Sequence, residues 1–557
     1  MSKEILVSVD VDGVRAAMRE DGQVVELLFE RAVRQQLVGN IYKGRVQNVL
    51  PGMQAAFVDI GLERNAFLFV DDAIPPGLEV DGAPPAIRDV VRPGQELLVQ
   101  VVKEPSGTKG PRVTRHVTLP GRYLVLMPSV EFVGVSRRIT KERERERLKA
   151  LAESLRPPGM GLIVRTVAEG ASEAEFRRDI EYLVRLWQGV EARARAAEAR
   201  SLVHRDLGLV QRVVRDWLDD DVTELYIDSP SDYERVLEWL ELMAPHLRSR
   251  VRLYTPTTVS LFDRYGVEQE IERALRRKVW LRSGGYLVID RTEALTAIDV
   301  NTGKFVGTTD LRDTVLRTNL EAAAEIARQL RLRDIGGIVV VDFIDMDLPE
   351  DRQRVLEALE EALARDRTRT NVLGLTQLGL VELTRKKSRQ TLDEILLRPC
   401  PHCDGRGRVP AEDTLARRAR AEIRRTLLTS AAEAILVELH PSVAALVIGP
   451  GGAHLRQLER ELGRSIFVRG NSQVDPGDLR IRALGSLAEV EAQALPVRPG
   501  QVLTVTVEEP HVTNPGDGIA RLDGYVIDID GAGGMVGRQV QVEVVRAFRT
   551  YARARLV

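Results

Sequence analysis

Two apolar runs, ALTAIDVN and GGIVVVD, are separated by one long helical pattern, LRTNLEAAAEIARQLRL. This order constrains the chain most, because apolar strands that alternate with an amphipathic helix pack as an α/β layer. Gly336 and Gly337 follow the helical pattern and precede four apolar residues, which predicts a helix stop and a strand start. Asp299 and Asn301 stand two positions apart, hence on one face of their strand, and Asp342 ends the second run. A carboxylate at the end of a buried strand is costly unless it is paired or bound to metal. If the two strands are neighbours, Asp299 and Asp342 meet at one edge of the sheet, where α/β folds bind ligands. Two hard oxygen ligands with room for water suit Mg²⁺, which polarises phosphoryl oxygens and lowers the pKa of bound water. Phosphodiester hydrolysis is the reaction this arrangement favours. The competing reading is that each aspartate only caps a turn or a helix.

At 557 residues the chain exceeds a single hydrophobic core, so three to five folding units are expected. The start, MSKEILVSVDVDG, lacks the charged and apolar regions of a secretory signal, and no run of about 18 apolar residues suggests a membrane span. Two cysteines fit a reducing compartment, and a cytoplasmic location is expected. A net charge of −2 excludes a whole-molecule basic field but leaves room for local RNA-binding patches.

Short alternating runs punctuated by Pro51-Gly52 and Gly61 make residues 37–118 one small β module. Residues 119–208 mix strands with two helices, and 276–397 carry the α/β pattern. After the cysteine stretch at 398–411, residues 412–497 hold helices, a strand and a Gly-rich turn, and 498–557 return to strands.

The strings TAIDVNTGKFVG, TNLEAAAEIARQLRLRDIGGIVVVDFIDM, GRYLVLMP, GMGLIVRT and CPHCDGRG closely resemble the ribonuclease E/G family, in order from about residue 37 to 410. Length and the VNTGKFVG string lie nearer its ribonuclease G branch. The resemblance implies a multidomain α/β and α+β chain. Its parts would be an OB-fold S1-type barrel (37–118), a 5′-sensor (119–208) and a DNase I-like catalytic α/β domain (276–397). A zinc link (398–411) would follow, with an RNase H-like subdomain assembled from 1–36 and 209–275. The implied activity is Mg²⁺-dependent endonucleolytic cleavage of single-stranded RNA in rRNA and tRNA processing and mRNA decay, leaving a 5′-phosphate and a 3′-hydroxyl. Asp299 and Asp342 would hold the Mg²⁺, and Asn301 would orient the scissile phosphate.

Phe57 and Phe67 could be core residues, but the match to AAFVDIGLERNAF implies that they line the RNA path, where rings stack on bases. Lys103 and Lys109 match the family's basic loop. Arg165 and Thr166, with Gly121, Val125 and Arg137 around them, match the pocket that prefers a 5′-monophosphate. VIGPGGAHLRQLERELGRSIFV resembles a KH core, whose turn here reads Gly449-Pro450-Gly451-Gly452. Pro450 removes a donor and the turn holds no cation, so RNA contact at Gly449, Gly451 and Gly452 stands level with a structural turn. The last sixty residues resemble a TRAM-type β-barrel. The long scaffolding tail of larger family members is not seen, and a degradosome hub is not expected.

Cys400-x-x-Cys403 leads into Asp404-Gly405-Arg406-Gly407, a knuckle without a helix signal, which suits a metal loop better than a redox pair. Zn²⁺ takes four ligands and one chain offers two thiolates. As in the family's zinc link, two chains would share one Zn²⁺, so a homodimer, or a dimer of dimers, is expected. Against the enzyme stand a non-catalytic RNA-binding or ribosome-associated chaperone protein and, on fold analogy alone, a DNA hydrolase.

Overall fold

The α/β layer is a six-stranded mixed sheet in the computed structural model of the protein. The structure describes all residues except 1, 33–35, 75–84, 106–108, 256–257, 304–310, 388, 523–524 and 549–550. The strand order is Lys278–Trp280, Tyr286–Arg291, Leu295–Asn301, Gly337–Asp342, Leu380–Arg385, Thr370–Leu375. Only the pair Leu295–Asn301 and Gly337–Asp342 is parallel, and the helix Leu311–Leu332 crosses between them. Val339 and Val341 face inward and pack with Ile298, Val300, Ala323 and Ile326, while Ala297, Asp299 and Asp342 point to an open face.

The helix stop differs in detail from the expectation. The residue that turns left-handed is Asp334, at φ 48°, and Ile335 N–H donates to Leu330 C=O at 3.0 Å, which closes the helix. Gly336 and Gly337 serve the strand instead. A side chain on Gly336 would lie 2.8 Å from the backbone of Lys387, and Gly337 has φ 102°.

Strands from residues 1–36 and 209–275 share one five-stranded sheet, Val251–Leu253, Val222–Ile227, Lys3–Asp10, Gly13–Glu20, Gln23–Arg31. The β module runs Ile41–Leu50, Ala55–Asp59, Ala66–Phe69, Arg112–Thr114, Glu96–Lys103, and its last strand pairs back onto the first, closing a five-stranded barrel. Ser201–His204, expected with the 119–208 region, adds to barrel strand Ile41–Leu50. A four-stranded sheet, Val133–Val135, Gly161–Val164, Leu124–Met127, Leu119–Pro120, packs with the helix Glu173–Ala196. A Ser172/Glu175 capping box opens that helix.

These elements form one unit, Met1–Arg398; Pro399–Val557 form a second. In the second unit Ala434–Leu439 pairs in parallel with Ser465–Gly470 and antiparallel with Arg480–Gly485. Two helices, Pro441–Ile448 and Ala453–Leu462, flank the Gly449–Gly452 turn. A six-stranded sheet follows from Val502 to Leu556. Among the described residues, no helix is long and apolar enough to cross a membrane.

Candidate active site

Parallel pairing puts Asp299 directly opposite Asp342 at the C-terminal edge of the two strands. Both carboxylates lie on the exposed face. Asn301 Nδ2 donates to Asp299 Oδ2 at 2.8 Å and so fixes the direction of that carboxylate. Burial, then the charges of Asp299 and Asp345, push the Asp342 carboxyl above its ordinary range. The negative potential that helps to raise Asp342 is the kind that a divalent cation between two side-by-side carboxylates relieves. Asp345 and Asp347 are exposed, and Asp345 acts on Asp342 through its charge. Lys304 to Gly307, the end of the TAIDVNTGKFVG string, lie outside the described residues.

One positioning residue escaped the sequence reading. Asn319, fully buried in the crossover helix, donates from Nδ2 to Ile344 C=O at 2.8 Å and accepts from Ile344 N–H at 3.1 Å. It thereby holds the chain that leaves Asp342. An asparagine on the apolar face of TNLEAAAE was its only signal.

On the barrel, Phe57 and Phe67 are direct cross-strand partners with ring centroids 6.0 Å apart, edge to face. Both are partly exposed, while Ala56, Val58, Ala66 and Leu68 fill the core between them. Register continues this face through Arg112 to Lys103. Arg112, not singled out from the sequence, is anchored to Asp72 at 2.6 Å. Lys103 and Lys109 are both exposed.

In the 119–208 region Arg165 Nη1 donates to Gly121 C=O at 2.6 Å, and Nη2 to Asp216 Oδ1 at 2.6 Å. Thr166 Oγ1 and Ser136 Oγ are 2.9 Å apart. Gly121 N–H donates to Leu124 C=O, so Val125 follows directly in the same hairpin. Arg137 is exposed beside Ser136. The hairpin's shape comes from buried Asp179, which accepts the N–H groups of Arg122, Tyr123 and Leu124 at 3.1, 2.9 and 2.8 Å. A side chain at Gly121 would run into that carboxylate at 2.5 Å, which explains the glycine. Burial pushes Asp216 up, but its hydrogen bond and ion pair with Arg215, reinforced by Arg165, more than offset this and hold it at about 2.

Cys400 and Cys403 sit on a turn in which Asp404, Gly405 and Gly407 have φ of 50°, 76° and 69°. Gly407 N–H donates to Cys403 Sγ at 3.3 Å. Backbone N–H groups of Cys403 and His402 hold the Cys400 thiol below its ordinary range. His402 is engaged elsewhere, with Nδ1 2.8 Å from Asp475 Oδ2. Among the described residues, no group of three or more His, Cys, Asp or Glu could hold a metal ion. At the Gly-rich turn, Gly449, Gly451 and Gly452 have φ of 74°, 54° and 79°. Arg456 Nη1 would lie 2.9 Å from a Cβ at Gly452, so the turn does have a cation beside it, supplied from the next helical turn.

Comparison with known proteins matches most of the chain to described families. A model described as "Ribonuclease E/G family" matches residues 118–388, and one described as "TRAM domain" matches 496–557. Residues 399–484 match "RNase E/G, Thioredoxin-like domain", a description different from the KH-like one expected, and the parallel pairing of Ala434–Leu439 with Ser465–Gly470 belongs to this stretch. Ribonuclease G of Escherichia coli (strain K12) is 45% identical over 482 residues, 86% of this chain and 98% of that protein. Ribonuclease G of Haemophilus influenzae is 44% identical over 473 residues, 84% and 96% respectively. Ribonuclease E of Nostoc sp. is 45% identical over 426 residues, which cover 74% of this chain and 60% of that protein.

Proposed function

The chain belongs to the ribonuclease E/G family, and on that premise we propose that it is a Mg²⁺-dependent endoribonuclease acting on single-stranded RNA. The observation that carries the proposal is the in-register pairing of Asp299 with Asp342 at an exposed sheet edge, with Asn301 fixed onto Asp299. Asp299 and Asp342 would hold the cation, and water would complete its shell, since Mg²⁺ retains several waters. When bound, Mg²⁺ supplies Lewis-acid polarisation of a phosphoryl oxygen and a water of lowered pKa. Asp299 and Asp342 contribute carboxylate oxygens side by side on paired strands. Asn301 orients Asp299 through Nδ2 and keeps its amide carbonyl and second N–H for the substrate side. Water attack with the 3′ oxygen leaving gives a 5′-phosphate and a 3′-hydroxyl.

The barrel face of Phe57, Phe67, Arg112 and Lys103 would carry the strand toward this edge by stacking and charge. Arg165 and Thr166 with Gly121, Val125 and Arg137 would recognise a 5′-monophosphate. Arg165 keeps Nε–H and one further N–H beyond its bonds to Gly121, Arg122 and Asp216. Cys400 and Cys403 would join the same pair of a second copy around one Zn²⁺, since His402 is engaged by Asp475. rRNA and tRNA maturation and mRNA decay in the cytoplasm are the roles this activity would serve.

The test is cleavage of a 5′-monophosphorylated single-stranded RNA by the wild type and by Asp299→Asn, each with Mg²⁺ and with EDTA. Cleavage by the wild type with Mg²⁺ only is expected. Equal cleavage by both proteins, or none by either, sinks the proposal.

A further inference from the structure

The open face of the catalytic sheet carries an aromatic and basic cluster on its edge strand and the strand beside it. Of the four tryptophans, Trp280 is the exposed one, at 60%, whereas Trp187 and Trp217 are buried and Trp239 packs on an apolar core. Trp280 and Lys278 point outward because their strand neighbours Val279 and Leu281 face the core. Lys278 Nζ lies 4.1 Å from the Trp280 ring centroid and 3.4 Å from that of Tyr286, and the two rings meet edge to face at 5.4 Å. Asp290, the acidic residue on the same face of the next strand, is taken by Arg277.

Register ties this cluster to the candidate active site. Trp280 stands opposite Tyr286, and Tyr286 opposite Asn301. Lys278 stands opposite Val288, Val288 opposite Asp299, and Asp299 opposite Asp342. All of these side chains share one face. Strands are spaced about 4.8 Å apart, so Trp280 and Lys278 are each about 10 Å across the sheet from Asn301 and Asp299, respectively. That span is about three nucleotide steps at the roughly 3.4 Å rise of a stacked strand and about one or two when the strand is pulled out beyond that rise, as one crossing an open sheet face would be.

An exposed indole braced by a tyrosine edge and a cation is a preformed stacking surface for a base, and the ammonium meets the phosphate beside that base. We propose that Trp280, Tyr286 and Lys278 form a nucleobase-stacking subsite that seats an RNA nucleotide about one or two steps from the scissile phosphate. The subsite rests on the reading that cleavage occurs at Asp299 and Asp342. It adds a substrate contact outside both the barrel face and the 5′-phosphate pocket, and its sequence tolerance would follow from every base having a π-face.

The experiment measures binding of a 5′-monophosphorylated single-stranded RNA in an Asp299→Asn background, after its cleavage site has been mapped with the wild type. Trp280→Ala should weaken binding about five- to tenfold, the low end of what a stacked base contributes, and Trp280→Phe should restore most of it. RNA should quench indole fluorescence in the Asp299→Asn parent and not in Trp280→Ala. An abasic nucleotide at one position within about two steps of the cleavage site should weaken the parent by the same factor and leave Trp280→Ala unaffected. Equal affinity of parent and Trp280→Ala, or losses that add at every abasic position, overturn the subsite. If cleavage does not depend on Asp299, the catalytic reading fails; if it does and Trp280→Ala binds as the parent does, only the subsite fails.

Discussion

Replacing Asp342 with asparagine separates the electrostatic cost of the candidate centre from its use. Strand spacing puts the Asp299 and Asp342 carboxylates roughly 5 Å apart. Repulsion of two unit charges at that distance is about 0.8 kcal/mol in water and about 3 kcal/mol at an effective dielectric of about 20. Both side chains are exposed, so the lower end applies. Asp342→Asn should therefore leave the metal-free fold as stable as the wild type or more so, by about 0.5–1 kcal/mol. Mg²⁺ at ten times its dissociation constant should stabilise the wild type by about 1.4 kcal/mol and leave the variant unchanged. Cleavage should fall at least about a thousandfold, because a metal ion contributes several kcal/mol to the transition state. Denaturant melts of the full chain at neutral pH, with EDTA and with Mg²⁺, read the first two effects, and a gel assay reads the third. A variant that is less stable in EDTA and still gains from Mg²⁺ would refute the reasoning, because the carboxylates would then be structural rather than a strained cation site.

The other expectations concern separate parts of the chain. Phe57→Ala and Phe67→Ala should each weaken RNA binding about five- to hundredfold, from roughly 1–3 kcal/mol per stacked base, with circular dichroism unchanged; unaltered binding, measured by anisotropy, would return both rings to the barrel surface. Asp216, held at about 2 against an unfolded value of about 3.9, contributes stability that is complete above pH of about 4 and is lost as pH falls toward about 2. Protection of the helix Leu209–Trp217 against hydrogen exchange, taken relative to the intrinsic rate at each pH, should fall across that window, and Asp216→Asn, already weaker by about 2 kcal/mol, should show no such step. Zinc should bind at about half an equivalent per chain, and Cys400→Ser should release both the zinc and the dimer, as seen by metal analysis with light scattering; a full equivalent per chain would rule out a shared site.

Much of the active-site logic was legible before any fold was known. Asp299, Asn301 and Asp342 were marked by alternation and by their place at the ends of apolar strands, because strand periodicity and the cost of a buried carboxylate are local rules. Phe57 and Phe67 were marked as candidates, but whether they faced the core or solvent waited on the closed barrel, which buries one face of each strand and leaves the other open. Arg165 was named for a phosphate, while its ties to Gly121 and Asp216 cross 44 and 51 residues and have no local signature.

What the sequence alone determined is the alternation of strands and helices, the acidic strand ends, the paired thiols and the chain's place near one family. Tertiary structure decided the rest. It brought Asp299 into register with Asp342, used Asp334 rather than a glycine to end the crossover helix, and placed buried Asn319 against Ile344. It also aligned Trp280 and Lys278 with the rows that hold Asn301 and Asp299. The physical reason is that residue type and spacing fix what each segment can become, whereas hydrogen-bond register between distant strands fixes which side chains become neighbours.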